Sequence, residues 1–240
     1  MSLSLDYSDG RFELGKTTLI LGKRLSGKTS LVLTNIFLKF QSKINYLFVV
    51  SNDQKYKEIT NHLFNENQLA KIFQEIQLLN RQENKLLIID EITNHRNPII
   101  ECLLINACFF NITIIMVSQI GDFNLVTRDY IANIVFGHDR CVTILRNIFD
   151  KYGSIYDDFT HFFNVISCLG KDEFLFRSNN KTGLIRVNDH WFKFLYSYKT
   201  FVRYDLLMKI NEDKKDDDLL KKVNNMMHEL TEIKRKLQAQ

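Results

Sequence analysis

The sequence predicts an α/β fold built on a mostly parallel central sheet flanked by helices. Three observations carry that reading. Apolar runs at 17–21, 45–50, 85–90, 112–117 and 131–136 alternate with segments of helical spacing. The runs lack the polar alternation of a half-exposed strand, as expected where both faces are buried. The chain has 240 residues and is 45% hydrophobic, enough for one substantial core.

The first run, TTLIL, leads into GKRLSGKTS at residues 22–30, and the first helix is expected to begin inside that stretch and run through TSLVLTNIFLKF. Gly22, Lys23, Arg24, Leu25, Ser26, Gly27, Lys28 and Thr29 satisfy the phosphate-loop pattern G-x-x-x-x-G-K-[ST], with Ser30 following, between a strand and a helix as the pattern requires. Backbone N–H groups must turn inward around an oxyanion, and a side chain at either glycine would crowd the turn. The helix end adds positive potential, Lys28 is placed to reach the β- and γ-phosphates, and the Thr29 hydroxyl is placed to ligate Mg²⁺. The expected ligands are therefore ATP and Mg²⁺.

Some sixty residues on, LLIIDE drives four aliphatic residues into Asp90 and Glu91. Asp90 is expected to hold Mg²⁺ through its water shell, and Glu91 to orient and deprotonate the water that attacks the γ-phosphate. A glutamate in that place favours hydrolysis over phosphoryl transfer to a metabolite. The apolar stretch Ile99–Val117 is long enough to raise a membrane span, but Glu101, Asn106 and Asn111 interrupt it. It reads instead as a helix ending near Phe109 and a buried strand from Ile112 to Val117. Gln119, at the end of ITIIMVSQ, reads either as a γ-phosphate sensor or as a capping amide at a strand end.

After Gly137 two helices are expected, in VTILRNIFDKYG and DDFTHFFNVISCLG, then a β-hairpin of EFLFRS and GLIRVN around NNKTG. This places one ATPase-type domain at 1–210. Residues 211–240 read as a charged linker, NEDKKDDD, and a short amphipathic helix. Its apolar positions Leu219, Val223, Met226, Leu230, Ile233 and Leu237 fall at heptad steps. That seam serves either self-association or packing on the protein's own body.

The four cysteines, Cys102, Cys108, Cys141 and Cys168, form no CxxC pair and are expected to be buried thiols. His138, Cys141, His161 and Cys168 could be combined into a metal set, but their spacings match no zinc pattern. The first ten residues lack the features of a secretory signal, so a reducing compartment is expected. The net charge of +4 permits a phosphate-backbone partner without demanding one.

Taken in order, GKRLSGKTS, LLIIDE, NITIIMVSQ, TRDYIANIVFG, RNIFDKYGSIYDDFTHFFNVI and the strand pair ending in VNDHWFKF resemble the genome-packaging ATPases of large double-stranded DNA viruses. These are of the poxvirus and iridovirus type, within the FtsK–HerA superfamily, and the resemblance covers most of residues 15–195. It implies a RecA-like ASCE P-loop core, a ring homo-oligomer (pentamer or hexamer), and ATP hydrolysis coupled to translocation of double-stranded DNA into a preformed capsid. It also implies a capsid or portal-vertex partner and a place at the viral assembly site in the host cytoplasm or in the virion. Under the resemblance Glu91 is the catalytic base and Gln119 the sensor. Arg128 matches an arginine that can act in trans on the phosphoryl group, with Arg146 a second candidate. Leu25 departs from the small residue usual at its position, and DFNLVT lacks the prolines usual before Arg128.

Two functions of different class follow. One is a DNA-translocating packaging motor. The other is a P-loop switch or binding module whose nucleotide state controls a protein partner. A metabolite kinase would need an acceptor pocket and lid, and neither is recognisable in the sequence.

Overall fold

A computed structural model describes residues 12–178 apart from 155 and 157, together with the backbone of 181–186 and 191–193. The expected boundary at 210 and the heptad helix lie outside the described residues.

Strand β1 (Thr17–Leu21) is buried along its whole length. After the glycine loop, helix α1 (Lys28–Leu31) widens into π turns over Val32–Phe37 and tightens again as α2 (Leu38–Phe40). Within the π turns the Thr34 hydroxyl donates to the Ser30 carbonyl at 2.8 Å, in competition with the α-helical amide of the same residue. This helix presses Leu31, Val32, Ile36 and Phe40 into the core formed with Ile20, Val49, Leu86, Ile88, Ile115 and Val117.

Next come β2 (Tyr46–Val50), a 3₁₀ turn at Gln54–Glu58, β3 (Leu63–Phe64), a second 3₁₀ turn at Glu66–Gln68, and α3 (Leu69–Leu78). Strand β4 (Lys85–Ile89) delivers Asp90 and Glu91, and α4 (Pro98–Asn106) follows, with Pro98 in its first turn and the Asn97 side chain accepting from Ile99 N. Then come β5 (Ile112–Ser118), α5 (Leu125–Asp129), β6 (Asn133–Gly137), α6 (Val142–Tyr152) and α7 (Phe159–Cys168). The chain turns back through β7 (Glu173–Ser178), β8 (Lys181–Arg186) and β9 (Trp191–Lys193).

Among the described residues, nine strands form one sheet in the order β3-β2-β4-β5-β1-β6-β7-β8-β9. The pairs from β3 through to β6 are parallel, and the three pairs from β6 to β9 are antiparallel. The expected mostly parallel α/β sheet is therefore present, with its parallel strands within about two residues of the apolar runs. Helix α4 ends three residues earlier than expected, because the chain turns at Phe109–Asn111 before β5 and Asn111 adopts a φ of +53°. Strand β8 begins at Lys181, so KTG belongs to the strand and the hairpin connection is shorter than the sequence suggests. Strands β3 and β9 are too short to leave a periodic signal.

The cysteines correct an expectation, because all four thiols are exposed. Cys141 stands before α6, Cys168 closes α7, and Cys102 and Cys108 lie on and just beyond α4. The sheet-facing positions of α4 are taken by Ile100, Leu103 and Leu104, which leaves Cys102 on the outer side. Among the described residues no helix is long and apolar enough to cross a membrane.

Among the described residues, one charged side chain is wholly inside. Lys85 opens the apolar run of β4 at 0% exposure, and its ammonium donates to the carbonyls of Asn80 at 2.6 Å, Glu83 at 2.8 Å and Phe110 at 3.0 Å. All its donors are used, and the turns before β4 and β5 are tied together at the edge of the sheet opposite the glycine loop. Lys85→Met would strand three carbonyls. It should lower unfolding free energy by about 2–4 kcal/mol in urea titrations, and a change below about 0.5 kcal/mol would show that the carbonyls find other donors.

Candidate functional site

Parallel pairing aligns the C-terminal ends of β2, β4, β5, β1 and β6 on one edge, where ligands bind in open α/β sheets. Leu21 pairs with Ser118, and Ile89 with Met116 and Val50, so the glycine loop, Asp90, Gln119 and the tip of β2 converge. They enclose a cleft of 790 Å³, within the range of small-molecule sites.

The loop is a bent cradle. Gly27 has φ +90°, and a Cβ on it would lie 2.1 Å from Asp172 Oδ1. A Cβ at Gly22 would meet Ser26 Oγ at 3.0 Å and the Gly137 Cα at 3.2 Å. Both glycines are thus demanded, the first by its dihedral and the second by the approach of the end of β6. Leu25 also takes a left-handed φ, +62°, and is 92% exposed. The buried Ser26 hydroxyl faces Gly22 and Gly137. Arg24, Leu25, Gly27, Lys28, Thr29 and Ser30 line the cleft, while Gly22, Lys23 and Ser26 are not part of its wall.

Lys28 folds its ammonium onto the loop itself, donating to Gly22 O at 2.8 Å and Lys23 O at 2.6 Å. Burial pushes its pKa down, against the opposing pull of Asp90, Glu91 and Asp139. Asp90, 5% exposed, accepts from Thr29 Oγ1 at 2.8 Å and from Tyr56 OH at 2.8 Å, both on Oδ2. Burial pushes the Asp90 carboxyl up, although these two hydrogen bonds and Lys28 hold it back. Thr29 and Asp90 therefore present paired oxygen ligands at the cleft wall, a set suited to a hard divalent cation.

Glu91 lines the cleft at φ +62°, where the chain breaks from strand geometry. The loop after it is held by Glu66, whose carboxylate accepts from Thr93 N at 3.2 Å, Asn94 N at 3.0 Å and the Thr93 hydroxyl. Gln119 lines the cleft from the end of β5. Beside it, Ser118 Oγ accepts from Gly121 N at 3.0 Å and lies 2.6 Å from His95 Nε2, and burial pushes the His95 pKa down.

Neither arginine reaches this cleft within one chain. Arg128, half-buried, donates from Nη1 to the Lys151 carbonyl at 3.3 Å, in the last turn of α6. Exposed Arg146 stacks 3.8 Å over the Phe159 ring. Tyr56, Glu66 and His95 were not found by sequence reasoning, since each belongs to no local motif and acquires its partner 23 to 34 residues away.

Compared with known proteins, residues 15–104 match a family described as an AAA domain. The fold is similar to the genome packaging NTPase B204 from Sulfolobus turreted icosahedral virus 2 in complex with AMPPCP, at 17% identity and TM-score 0.60, covering 72% of this chain and 97% of that chain. It is similar also to B204, the DNA-packaging ATPase from Sulfolobus turreted icosahedral virus, at 16% identity and TM-score 0.58, covering 72% and 98%. The cytoplasmic domain of the Thermomonospora curvata type VII secretion ATPase EccC aligns at 12% identity and TM-score 0.50, over 71% of this chain and 23% of that one. No curated protein matches the sequence. At these identities the chain shares a P-loop NTPase fold with those structures.

The raised pKa of Asp90 has a consequence for stability. A carboxyl whose folded pKa exceeds its unfolded value destabilises the fold as pH rises from the unfolded pKa through the folded one. Asp90→Asn keeps a carbonyl acceptor for Thr29 and Tyr56, so it should raise the melting temperature of the nucleotide-free chain at pH 7. The gain should shrink toward pH 4 and vanish where Asp90 is protonated in both states; a variant less stable at pH 7 would contradict the assignment.

Proposed function

We propose that this chain is an ATP-hydrolysing motor that moves double-stranded DNA, of the kind that packages viral genomes. The observation that carries the proposal is the meeting of cradle and acidic tip: Thr29, in the loop, and Asp90, sixty-one residues later, share a hydrogen bond of 2.8 Å on the wall of the cleft that Glu91 and Gln119 also line. The shared fold with a packaging NTPase in complex with an ATP analogue supports the same reading.

In this mechanism the amides of residues 22–29 hold the phosphates, and the Lys28 ammonium leaves its carbonyl partners to bind the β- and γ-oxygens. Thr29 and Asp90 would hold Mg²⁺, which when bound neutralises charge on the phosphate oxygens. Glu91 orients the attacking water and takes its proton as the water oxygen bonds to the γ-phosphorus, while the bond from that phosphorus to the β,γ-bridging oxygen breaks. Gln119 reads the γ-phosphate. Since Arg128 and Arg146 lie off the cleft of their own chain, a charge-stabilising arginine would come from a neighbouring copy in a ring, from one of these two positions. Movement along DNA requires contacts to phosphates rather than to bases. Such a motor would act with a capsid or portal-vertex protein at the viral assembly site, in the poxvirus and iridovirus manner.

Steady-state ATP hydrolysis with and without double-stranded DNA tests the proposal. The parent chain should hydrolyse ATP faster with DNA. Glu91→Gln should bind ATP but lose turnover by about a hundredfold or more, and Lys28→Ala should lose nucleotide binding. Turnover indifferent to DNA at low and moderate salt would overturn the motor in favour of a nucleotide switch. Tight ATP binding by Lys28→Ala would overturn the cradle.

A further inference from the structure

The strongest unassigned feature of the cleft is the phenol beneath it. Tyr56 lies in the 3₁₀ turn that follows β2, a segment with no motif in the sequence, yet its side chain is 0% exposed and belongs to the central core. The turn is closed by its own bonds. Asp53 caps it through Lys55 N at 3.0 Å, Asp53 N is held by Ser51 Oγ at 3.0 Å, and the Tyr56 carbonyl accepts from Ile59 N and Thr60 N at 3.1 Å. Backbone and ring are therefore both fixed, and the hydroxyl is aimed at one atom, Asp90 Oδ2, at 2.8 Å.

That oxygen also takes the Thr29 proton at 2.8 Å. Two donors on one oxygen fix the rotation of the carboxylate and leave Oδ1 with no hydrogen bond among the described residues. The same arrangement acts on Thr29. A threonine hydroxyl has one proton, and donating it to Asp90 turns its lone pairs away from the carboxylate. A cation ligand set is assembled in advance, and Tyr56 is the member that reaches it from the core.

We propose that Tyr56 is a positioning residue: its hydroxyl locks the Asp90 carboxylate in the orientation that, with Thr29, receives a divalent cation bound with the nucleotide. The inference rests on the Mg²⁺-nucleotide part of the function proposed above. Removing the Tyr56 hydroxyl takes away one of the two donors on Asp90 Oδ2, so the carboxylate is freer to turn. Partners of this kind, behind the metal-ligating side chains, are typically worth about 10–100-fold in metal affinity.

The test is equilibrium binding of a fluorescent non-hydrolysable ATP analogue to the full chain across a Mg²⁺ titration, and again in EDTA. Tyr56→Phe should raise the Mg²⁺ concentration giving half-maximal binding by about tenfold or more, and leave affinity in EDTA within about twofold. A purely structural role would instead lower the melting temperature and both affinities together, or change neither. As a second measurement in the presence of the hydroxyl, 3-fluorotyrosine placed at position 56 should show a ¹⁹F resonance that moves when Mg²⁺ is added to the analogue-loaded chain. An unchanged Mg²⁺ dependence in Tyr56→Phe, or an unmoved resonance, overturns the inference while leaving the nucleotide site standing. A parent chain whose nucleotide affinity ignores Mg²⁺ overturns both.

Discussion

Parallel register is the constraint on which the cleft depends. β5 pairs with both β4 and β1, and those two pairings set Ile89 beside Met116 and Leu21 beside Ser118. A slip by one residue would turn every side chain of a strand to the opposite face. The uniform burial of β1, β4 and β5 opposes shifts that draw their polar ends inward, and so the three chain reversals stay level. The glycine loop, Asp90, Glu91 and Gln119 all sit on those reversals.

Several buried polar groups at the ends of these strands are met by specific partners. At one edge, Lys85 gathers three carbonyls. At the other, Asp90 takes two hydroxyl protons, and Lys28 rests on two carbonyls of its own loop. The two edges differ in consequence. Lys85 is satisfied permanently, whereas Lys28 and Asp90 are held by bonds that a triphosphate and its cation can replace or share. Buried charge at the cleft thus costs stability in the free chain.

Much of this was legible in the sequence where the information is local. The glycine loop could be read because Gly22, Gly27, Lys28 and Thr29 act within eight residues, and LLIIDE because a buried strand must end where its carboxylates begin. At 92% exposure, Leu25 has room for a side chain larger than the usual small residue. Tyr56, Glu66 and His95 were not legible: a tyrosine in SNDQKYKE looks like any turn residue until β2 is laid against β4. The cysteines failed for another reason, because a residue type that is usually buried says nothing about which side of a helix it occupies. Arg128 shows the limit of carrying a role over by resemblance: within its own chain it caps a helix, and any action on nucleotide needs a second copy.

The most direct test of the central claim is a crystal structure of the chain with Mg²⁺ and a non-hydrolysable ATP analogue. The account predicts triphosphate density inside the loop at 22–29, the Lys28 ammonium moved from the Gly22 and Lys23 carbonyls to the phosphates, and Glu91 facing the γ-phosphate. Nucleotide bound elsewhere, or Lys28 still on those carbonyls beside an occupied cleft, would contradict it.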